Sequence, residues 1–397
     1  MKPLTLVPTS TGALLFDRRD GQLDAYTAAA AEVLHRLLDE AAFDVVAGAP
    51  PWVSELVQRL VQRAALDGNG HLQARCARGA GALMPPITLH VEVSGVCNLD
   101  CTHCFAAPLP RTSQALTRDE LCALFNDAAE LGVCRLSLTG GEPLLRRDLL
   151  DIVDDAAAAG LAPSLVTNGL IHDLGTAEAL AARLRDHRLL WLSVSLDGAT
   201  ATTNDAIRGA GVFARVVERL ALLRSARAPF SIAFTVHPAL VDEVDACVAL
   251  ARDVGAEAAI FRPLYPVGAA RTRPELWLSR EQWDLAVARV EAAGGTVAAD
   301  DEHGAALFPA DACAAGFTQA SIGLDGCVSP CGFLGAAHDG PSVRDVPLST
   351  SWAMGGTFTQ LRDRGGSFDG GCRARSQAAY GSALARDPWR RGLPILR

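Results

Sequence analysis

From residue 88 to about residue 300 the chain repeats one pattern. Short apolar runs alternate with stretches whose apolar residues fall at helical spacing, at roughly 25 to 40 residues per unit. The runs at 88–93, 134–138, 163–166, 191–196, 230–236 and 257–262 predict strands. The stretches at 118–131 and 241–254 predict amphipathic helices between them. Alternation of this kind belongs to the α/β class, and six units make a partial (βα)6, TIM-type barrel of parallel strands. In such architectures ligand loops collect beyond the carboxyl ends of the strands.

The first eighty residues have another rhythm. Residues 12–16 predict a strand, Asp17-Arg18-Arg19-Asp20-Gly21 a turn, and 22–26 a second strand. A helix follows with Ala30, Val33, Leu34, Leu37 and Leu38 on one face. After the breaker Gly48-Ala49-Pro50-Pro51 a second helix carries Val53, Leu56, Val57, Leu60 and Val61, and Gly68-Asn69-Gly70 ends it. Gly79-Ala80-Gly81-Ala82 reads as a linker, which divides the chain into residues 1–82, a barrel at 83–302 and a glycine- and cysteine-rich remainder at 303–397.

Composition narrows the function classes. At 397 residues the chain exceeds one ordinary core, and 49% hydrophobic with 20% charged residues describes a soluble globular protein. No window reaches the ~18 apolar residues of a membrane span, and the opening residues carry no signal-peptide core. Eleven cysteines, an odd count in a long chain, suit metal ligation in a reducing cytoplasm better than disulfides. A net charge of −9 argues against a nucleic-acid partner.

Candidate chemistry begins just past the first barrel strand, at Cys97-Asn98-Leu99-Asp100-Cys101-Thr102-His103-Cys104. Thiolates are soft ligands suited to iron–sulfur clusters, and three of them leave one iron open to another ligand. Structural zinc is the alternative, but His103 between two cysteines is too cramped to close a tetrahedron. Polar turns end the next strands: Thr139-Gly140-Gly141-Glu142-Pro143, then Thr167-Asn168-Gly169, then Ser193-Val194-Ser195-Leu196-Asp197-Gly198, with Ile207-Arg208-Gly209 downstream. Asp197 and Arg208 also suit a surface ion pair. His237, before a proline, reads as structural. Cys122, Cys134 and Cys247 read as small core residues and Cys76 as incidental.

The C-x3-C-x2-C spacing resembles the signature of the radical S-adenosylmethionine (SAM) enzymes. The resemblance implies a [4Fe–4S] cluster on Cys97, Cys101 and Cys104 whose open iron is chelated by SAM. Reductive cleavage then yields a 5′-deoxyadenosyl radical that abstracts hydrogen from the substrate. It further implies His103 near the adenine, and Gly140, Gly141 and Glu142 at the methionyl amine. Thr167 and Asn168 would lie near the ribose and carboxylate, Ser195 and Asp197 at ribose hydroxyls, and Arg208 at the SAM carboxylate.

Cys313, Gly326, Cys331 and the run Gly370-Gly371-Cys372-Arg373-Ala374 resemble the SPASM auxiliary-cluster extension. Phe368, with Asp369 beside it, and Trp389 stand where that extension has cysteines, and Gln319 replaces a further one. A shortened, twitch-like version with one auxiliary [4Fe–4S] cluster is therefore implied, on Cys313, Cys331 and Cys372, with either Cys327 as fourth ligand or an open iron that could hold substrate. Cys327-Val328-Ser329-Pro330-Cys331 repeats the C-x3-C spacing, but the third member falls at Leu334. The N-terminal order is similar to winged-helix peptide-recognition domains of ribosomal peptide maturation, which hold a leader peptide as an added strand. The implied function is crosslinking or oxidation of a ribosomally made precursor peptide, with flavodoxin or ferredoxin as reductant. The rivals are tailoring of a small molecule or tetrapyrrole and a non-catalytic iron–sulfur electron carrier. No residue identifies itself as a general base.

Overall fold

The computed structural model describes residues 2–81, 83–107, 115–297, 313–335, 338–363 and 371–390. Phe368, Asp369, Gly370 and the boundary expected at 302–303 lie outside them.

The N-terminal strands β1 (Leu4–Thr9), β2 (Gly12–Asp17), β3 (Leu23–Thr27) and β4 (Ala74–Cys76) form a four-stranded sheet in the order β3-β2-β1-β4. The turn expected at 17–21 joins β2 to β3. The sequence pattern does not reveal β1, which holds Pro8, or β4, whose three residues pair with β1 in parallel. Helices α1 (Ala28–Asp39), α2 (Ala42–Val46) and α3 (Pro51–Gln62) cover one face, where Leu6, Leu15, Leu34, Leu37, Leu56 and Leu60 are buried together. Val61, expected on the apolar face of α3, is instead 59% exposed, because it lies a step around the helix from Val57 and Leu60.

The larger sheet contains β5 (Thr88–Ser94), β6 (Arg135–Gly140), β7 (Ala162–Thr167), β8 (Trp191–Leu196), β9 (Ser231–Val236) and β10 (Ala258–Pro263), paired in parallel in chain order. Helices α4 (Arg118–Leu131), α5 (Leu149–Ala158), α6 (Leu174–Arg185), α7 (Ala201–Arg208), α8 (Val212–Ala226), α9 (Val244–Asp253) and α10 (Arg280–Ala293) intervene. These strands lie within two residues of the spans read from the sequence. What the pattern does not show is that β11 (Thr296–Val297) extends one edge and β12 (Gln319–Ile322) with β13 (Val328–Ser329) the other. The C-terminal region thus contributes a strand parallel to β5, and closes with α11 (Leu348–Met354), α12 (Gly356–Asp363) and α13 (Arg373–Tyr380).

Period-two alternation assigns the two faces of the barrel. Leu89, Val91, Leu136, Leu138, Val194, Leu196, Ile232, Phe234 and Phe261 pack outward against the helices. His90, Glu92, Ser137, Thr139, Ser195, Thr235 and Arg262 therefore fall on the opposite, inner face. Cys134 and Cys247 are buried as expected. Cys122 is a correction: it is half-buried and donates to Asp155 Oδ2 at 3.3 Å, so it is a polar contact at the helix surface.

The second face of the N-terminal sheet seals the floor of this barrel. Val7, Leu14 and Phe16 pack on Ile87, Cys134 and Ala162, each at or just before the start of a barrel strand. Arg18 donates to the carbonyls of Ala157 and His187, and Arg75 to that of Ala129, so two arginines cap ends of barrel helices. Arg135 donates to Gly21 O and lies over the Phe16 ring. Phe16→Ala should therefore lower stability by about 3–4 kcal/mol, whereas Val61→Ser should change it by under about 0.5 kcal/mol; urea titration measures both.

Candidate functional site

The cysteine loop leaves β5 at Ser94 and crosses the carboxyl end of the barrel. Gly141 N donates to Ser94 O at 2.6 Å and Glu142 N to Val96 O at 2.8 Å. Gly140 has φ +129°, and a Cβ on Gly140 or Gly141 would stand 2.4 Å from a carbonyl oxygen of this loop, so both positions require glycine. Farther along, Thr102 N donates to Ile207 O and Ala269 N to Cys104 O, each at 2.9 Å. Asn168 Nδ2 donates to Asn98 Oδ1 at 2.7 Å and lies 4.0 Å from Cys97 Sγ.

Glu142 ties the turns together. Its buried carboxylate accepts from Leu144 N at 2.9 Å, Thr167 Oγ1 at 2.7 Å and Asn168 N at 2.7 Å. Burial pushes this carboxyl up, and the three donors pull it part of the way back.

Asp197 forms the second centre. It is fully buried, and Oδ1 accepts from Thr235 N at 3.1 Å. Oδ2 stands 2.6 Å from Arg208 Nε and 2.9 Å from His103 Nε2. Burial pushes the carboxyl up, but the charges of Arg208 and His103 outweigh it and hold the group well below the usual carboxylate range. The ion pair is thus buried, not at the surface. His237 Nε2 lies 3.1 Å from Asp197 O, a structural position. Ser195 lies one strand position before Leu196, half-buried on the inner face.

Cys97, Cys101 and Cys104 are half-buried in their loop. Burial pushes the Cys101 thiol up to about 12 and raises that of Cys104. Thiolates disfavoured by burial and by one another suit a cationic iron cluster, which holds them deprotonated. Among the described residues no three Cys, His, Asp or Glu side chains gather to hold one metal ion. Nearby, Thr102 Oγ1 and His103 Nδ1 are buried without a hydrogen-bond partner, whereas Asp197 Oδ2, Arg208 Nε and His103 Nε2 satisfy one another. Unpaired buried polar atoms beside the cysteine loop fit a polar ligand, as SAM is.

Residues 91–251 match the family model described as the Radical SAM superfamily. The PqqA peptide cyclase of Gluconobacter oxydans (strain 621H) is 31% identical over 329 residues, covering 77% of this chain and 90% of that protein. The chain belongs to the radical SAM superfamily. The AdoMet-dependent heme synthase of Methanosarcina barkeri (strain Fusaro / DSM 804) is 30% identical over 335 residues, covering 75% of this chain and 94% of the relative. In fold, the chain superposes on the crystal structure of Streptococcus suis SuiB bound to precursor peptide SuiA with a TM-score of 0.74, at 14% identity and 98% coverage of both. Radical SAM membership makes this chain an iron–sulfur enzyme and implies a [4Fe–4S] cluster and SAM. Among the described residues no helix is long and apolar enough to cross a membrane.

Around this radical SAM site stand residues that sequence reasoning missed. Phe333, beyond β13, meets Phe105 edge-on at 5.5 Å and Tyr265 at 5.0 Å, forming an aromatic wall beside Cys104. Asp387 accepts from Cys372 N at 2.6 Å and pairs with Arg375, whose guanidinium lies 4.1 Å from the Trp389 ring. The only sequence signal was that Asp387-Pro388-Trp389 departs from the family pattern. On the inner face, burial holds His90 down to about 4 and pushes Glu92 up to about 7; Asp325 and Asp339 add to the latter, against a hydrogen bond from Leu324 N.

A raised carboxyl favours the folded state while protonated, so stability tied to Glu92 is lost as pH rises from 4.5 to about 7. Glu92→Gln removes this dependence. Apo Glu92→Gln should gain on the order of 2 kcal/mol relative to the parent between pH 4.5 and pH 8, measured by denaturant titration at both pH values.

Proposed function

We propose that this radical SAM enzyme matures a ribosomally made precursor peptide, crosslinking or oxidising it after hydrogen abstraction. The observation that carries the reading is the likeness to a peptide cyclase over 77% of the chain. The N-terminal sheet supports it: β3 is an outer strand, and an outer strand can accept an extended peptide through main-chain hydrogen bonds. Residues 1–82 would be a winged-helix-like leader-binding domain, 83–302 the barrel and 303–397 the auxiliary domain.

Cys97, Cys101 and Cys104 would hold the SAM-binding cluster. Gly140, Gly141, Glu142, Thr167, Asn168, Ser195, Asp197 and Arg208 would surround SAM, with His103 beside its adenine. Bound there, cluster and SAM supply a 5′-deoxyadenosyl radical that takes a hydrogen atom from the substrate. The chain's own part is to orient. Glu142 fixes two turns against each other, Asp197 holds His103 and Arg208, and Phe105, Tyr265 and Phe333 keep water from the mouth. Cys313, Cys327, Cys331 and Cys372 would hold one auxiliary [4Fe–4S] cluster. All four are half-buried, and Asp387 anchors the backbone at Cys372. The charges of Asp325 and Asp339 act on Cys327, which burial pushes up to about 11, so a thiolate there depends on bound iron.

A tetrapyrrole is the competing substrate, favoured by the likeness to a heme synthase. Geometry adds a constraint to the peptide reading. The N-terminal sheet lies at the amino ends of β5–β7 and the cysteine loop at the carboxyl end of β5. A strand of six or seven residues spans about 20 Å, so leader and modified residue must be separated by at least about six extended residues.

The test incubates the reduced, reconstituted enzyme with SAM and a candidate precursor peptide, sought as a short open reading frame beside its gene. Mass spectrometry should find a peptide lighter by hydrogen atoms, formed with 5′-deoxyadenosine. Peptides with shortened spacers should still bind but go unmodified. An unchanged full-length peptide alongside turnover of a tetrapyrrole would overturn the reading.

A further inference from the structure

The two faces of the barrel sheet differ in their access to solvent. Along β5, β6 and β9 the outward side chains are buried, while His90, Glu92, Ser137, Thr139 and Thr235 on the inner face keep partial exposure. The strands therefore enclose a lumen that solvent, and hence a substrate, can reach. Glu92 is the only acidic residue in strands β5–β10. It pairs in register with Thr139, one residue before Gly140 of the turn set against the cysteine loop. Its charge acts on the Cys104 thiol, and Leu324 N, in the turn after β12, donates to it. Asp325 and Asp339 face it from the same C-terminal region. Glu92 thus stands where the cysteine loop, the lumen and the region that carries Cys327 and Cys331 meet.

Two other buried carboxylates stand at this end of the barrel, and both are committed. Glu142 accepts from Leu144 N, Thr167 Oγ1 and Asn168 N. Asp197 accepts from Thr235 N and pairs with Arg208 and His103, which hold it well below the usual carboxylate range. A carboxylate stabilised in that way is a poor proton acceptor. His237 lies against Asp197 O, and His90 is bonded to Gln319, with burial and Arg262 disfavouring its cation. Glu92 is held differently. It receives one main-chain donor, and the charges that act on it are those of Asp325 and Asp339. Burial and these two carboxylates push it up to about 7, so its acid and its base form are both populated near neutrality.

We infer that Glu92 is the catalytic base of the maturation step, taking the proton that the substrate peptide releases as its new bond closes. The inference rests on the precursor-peptide reading and adds the group that completes it. Hydrogen abstraction leaves a carbon radical on the peptide. Joining that carbon to a nitrogen, oxygen or sulfur of the same peptide forms one bond and breaks the N–H, O–H or S–H bond. One proton and one electron must then leave the substrate. The proton passes to the Glu92 carboxylate, and the electron to a one-electron acceptor of the iron–sulfur class. Water in the lumen takes the proton from Glu92 and restores the base for the next turnover.

The experiment gives the reduced, reconstituted holoenzyme SAM and the candidate precursor peptide, and reads mature peptide formed per 5′-deoxyadenosine. In the parent this ratio should rise with pH through about 7, because the base must be ionised to act. Glu92→Gln, similar in size but unable to take the proton, should lower the ratio at least about tenfold above that pH and make it independent of pH. Glu92→Asp keeps a carboxyl group and should recover most of the lost ratio. Iron and sulfide content should agree among the three proteins. An unchanged ratio in Glu92→Gln would overturn the assignment, including one in which mature peptide and 5′-deoxyadenosine fall together. So would loss of iron from Glu92→Gln, or a Glu92→Asp no better than it, since each marks a structural role. A parent that makes 5′-deoxyadenosine and leaves the peptide unmodified would instead overturn the precursor-peptide reading beneath it.

Discussion

The site depends on one buried carboxylate. Glu142 accepts hydrogen bonds from the turn that contains it and from the turn after β7, and its own backbone N–H holds the start of the cysteine loop. Three segments distant in sequence therefore share one anchor. Without it, Leu144 N, Thr167 Oγ1 and Asn168 N would lose their acceptor inside the protein, at about 1–3 kcal/mol for each group left unpaired. Asn168 passes the constraint on, because its amide group bridges to Asn98 beside Cys97. The glycines at 140 and 141 matter for the same reason: they let this turn lie directly against the cysteine loop.

A second constraint acts from below. The N-terminal sheet has two apolar faces, one for its own helices and one for the barrel floor. Arg18 and Arg75 cap barrel helices from that side. A leader-binding role for β3 and a structural role for β1 and β2 are compatible, since they use different parts of the sheet. They also mean that removing the first eighty residues would strip Cys134, Ile87 and Ala162 of cover, so loss of activity in such a truncation would not by itself reveal peptide binding.

Much of this was legible in the sequence, for physical reasons. The barrel strands announce themselves because βα units alternate apolar runs with amphipathic helices, and the ligand loops because they end those strands. Long-range pairing left weaker traces. β4 and β13 are too short for a periodic pattern, and β12 lies in cysteine-rich sequence where Gln319 was read only as replacing a family cysteine, not as the start of a strand beside β5. Glu142 was legible as a ligand-loop residue but not as the anchor of three segments. The acidic surroundings of Glu92 come from Asp325 and Asp339, more than two hundred positions away. The clasp of Arg375 between Asp387 and Trp389 showed in the sequence only as a missing cysteine.

The central claim is that Cys97, Cys101 and Cys104, set against the Gly140-Gly141-Glu142 turn, make a site that cleaves SAM. It is tested most directly by incubating the anaerobically reconstituted chain with dithionite and SAM, without any substrate, and measuring 5′-deoxyadenosine. The account predicts that the parent forms it and that Cys97→Ala/Cys101→Ala/Cys104→Ala does not. Equal formation by parent and triple variant, or none by a parent loaded with iron and sulfide, would contradict it.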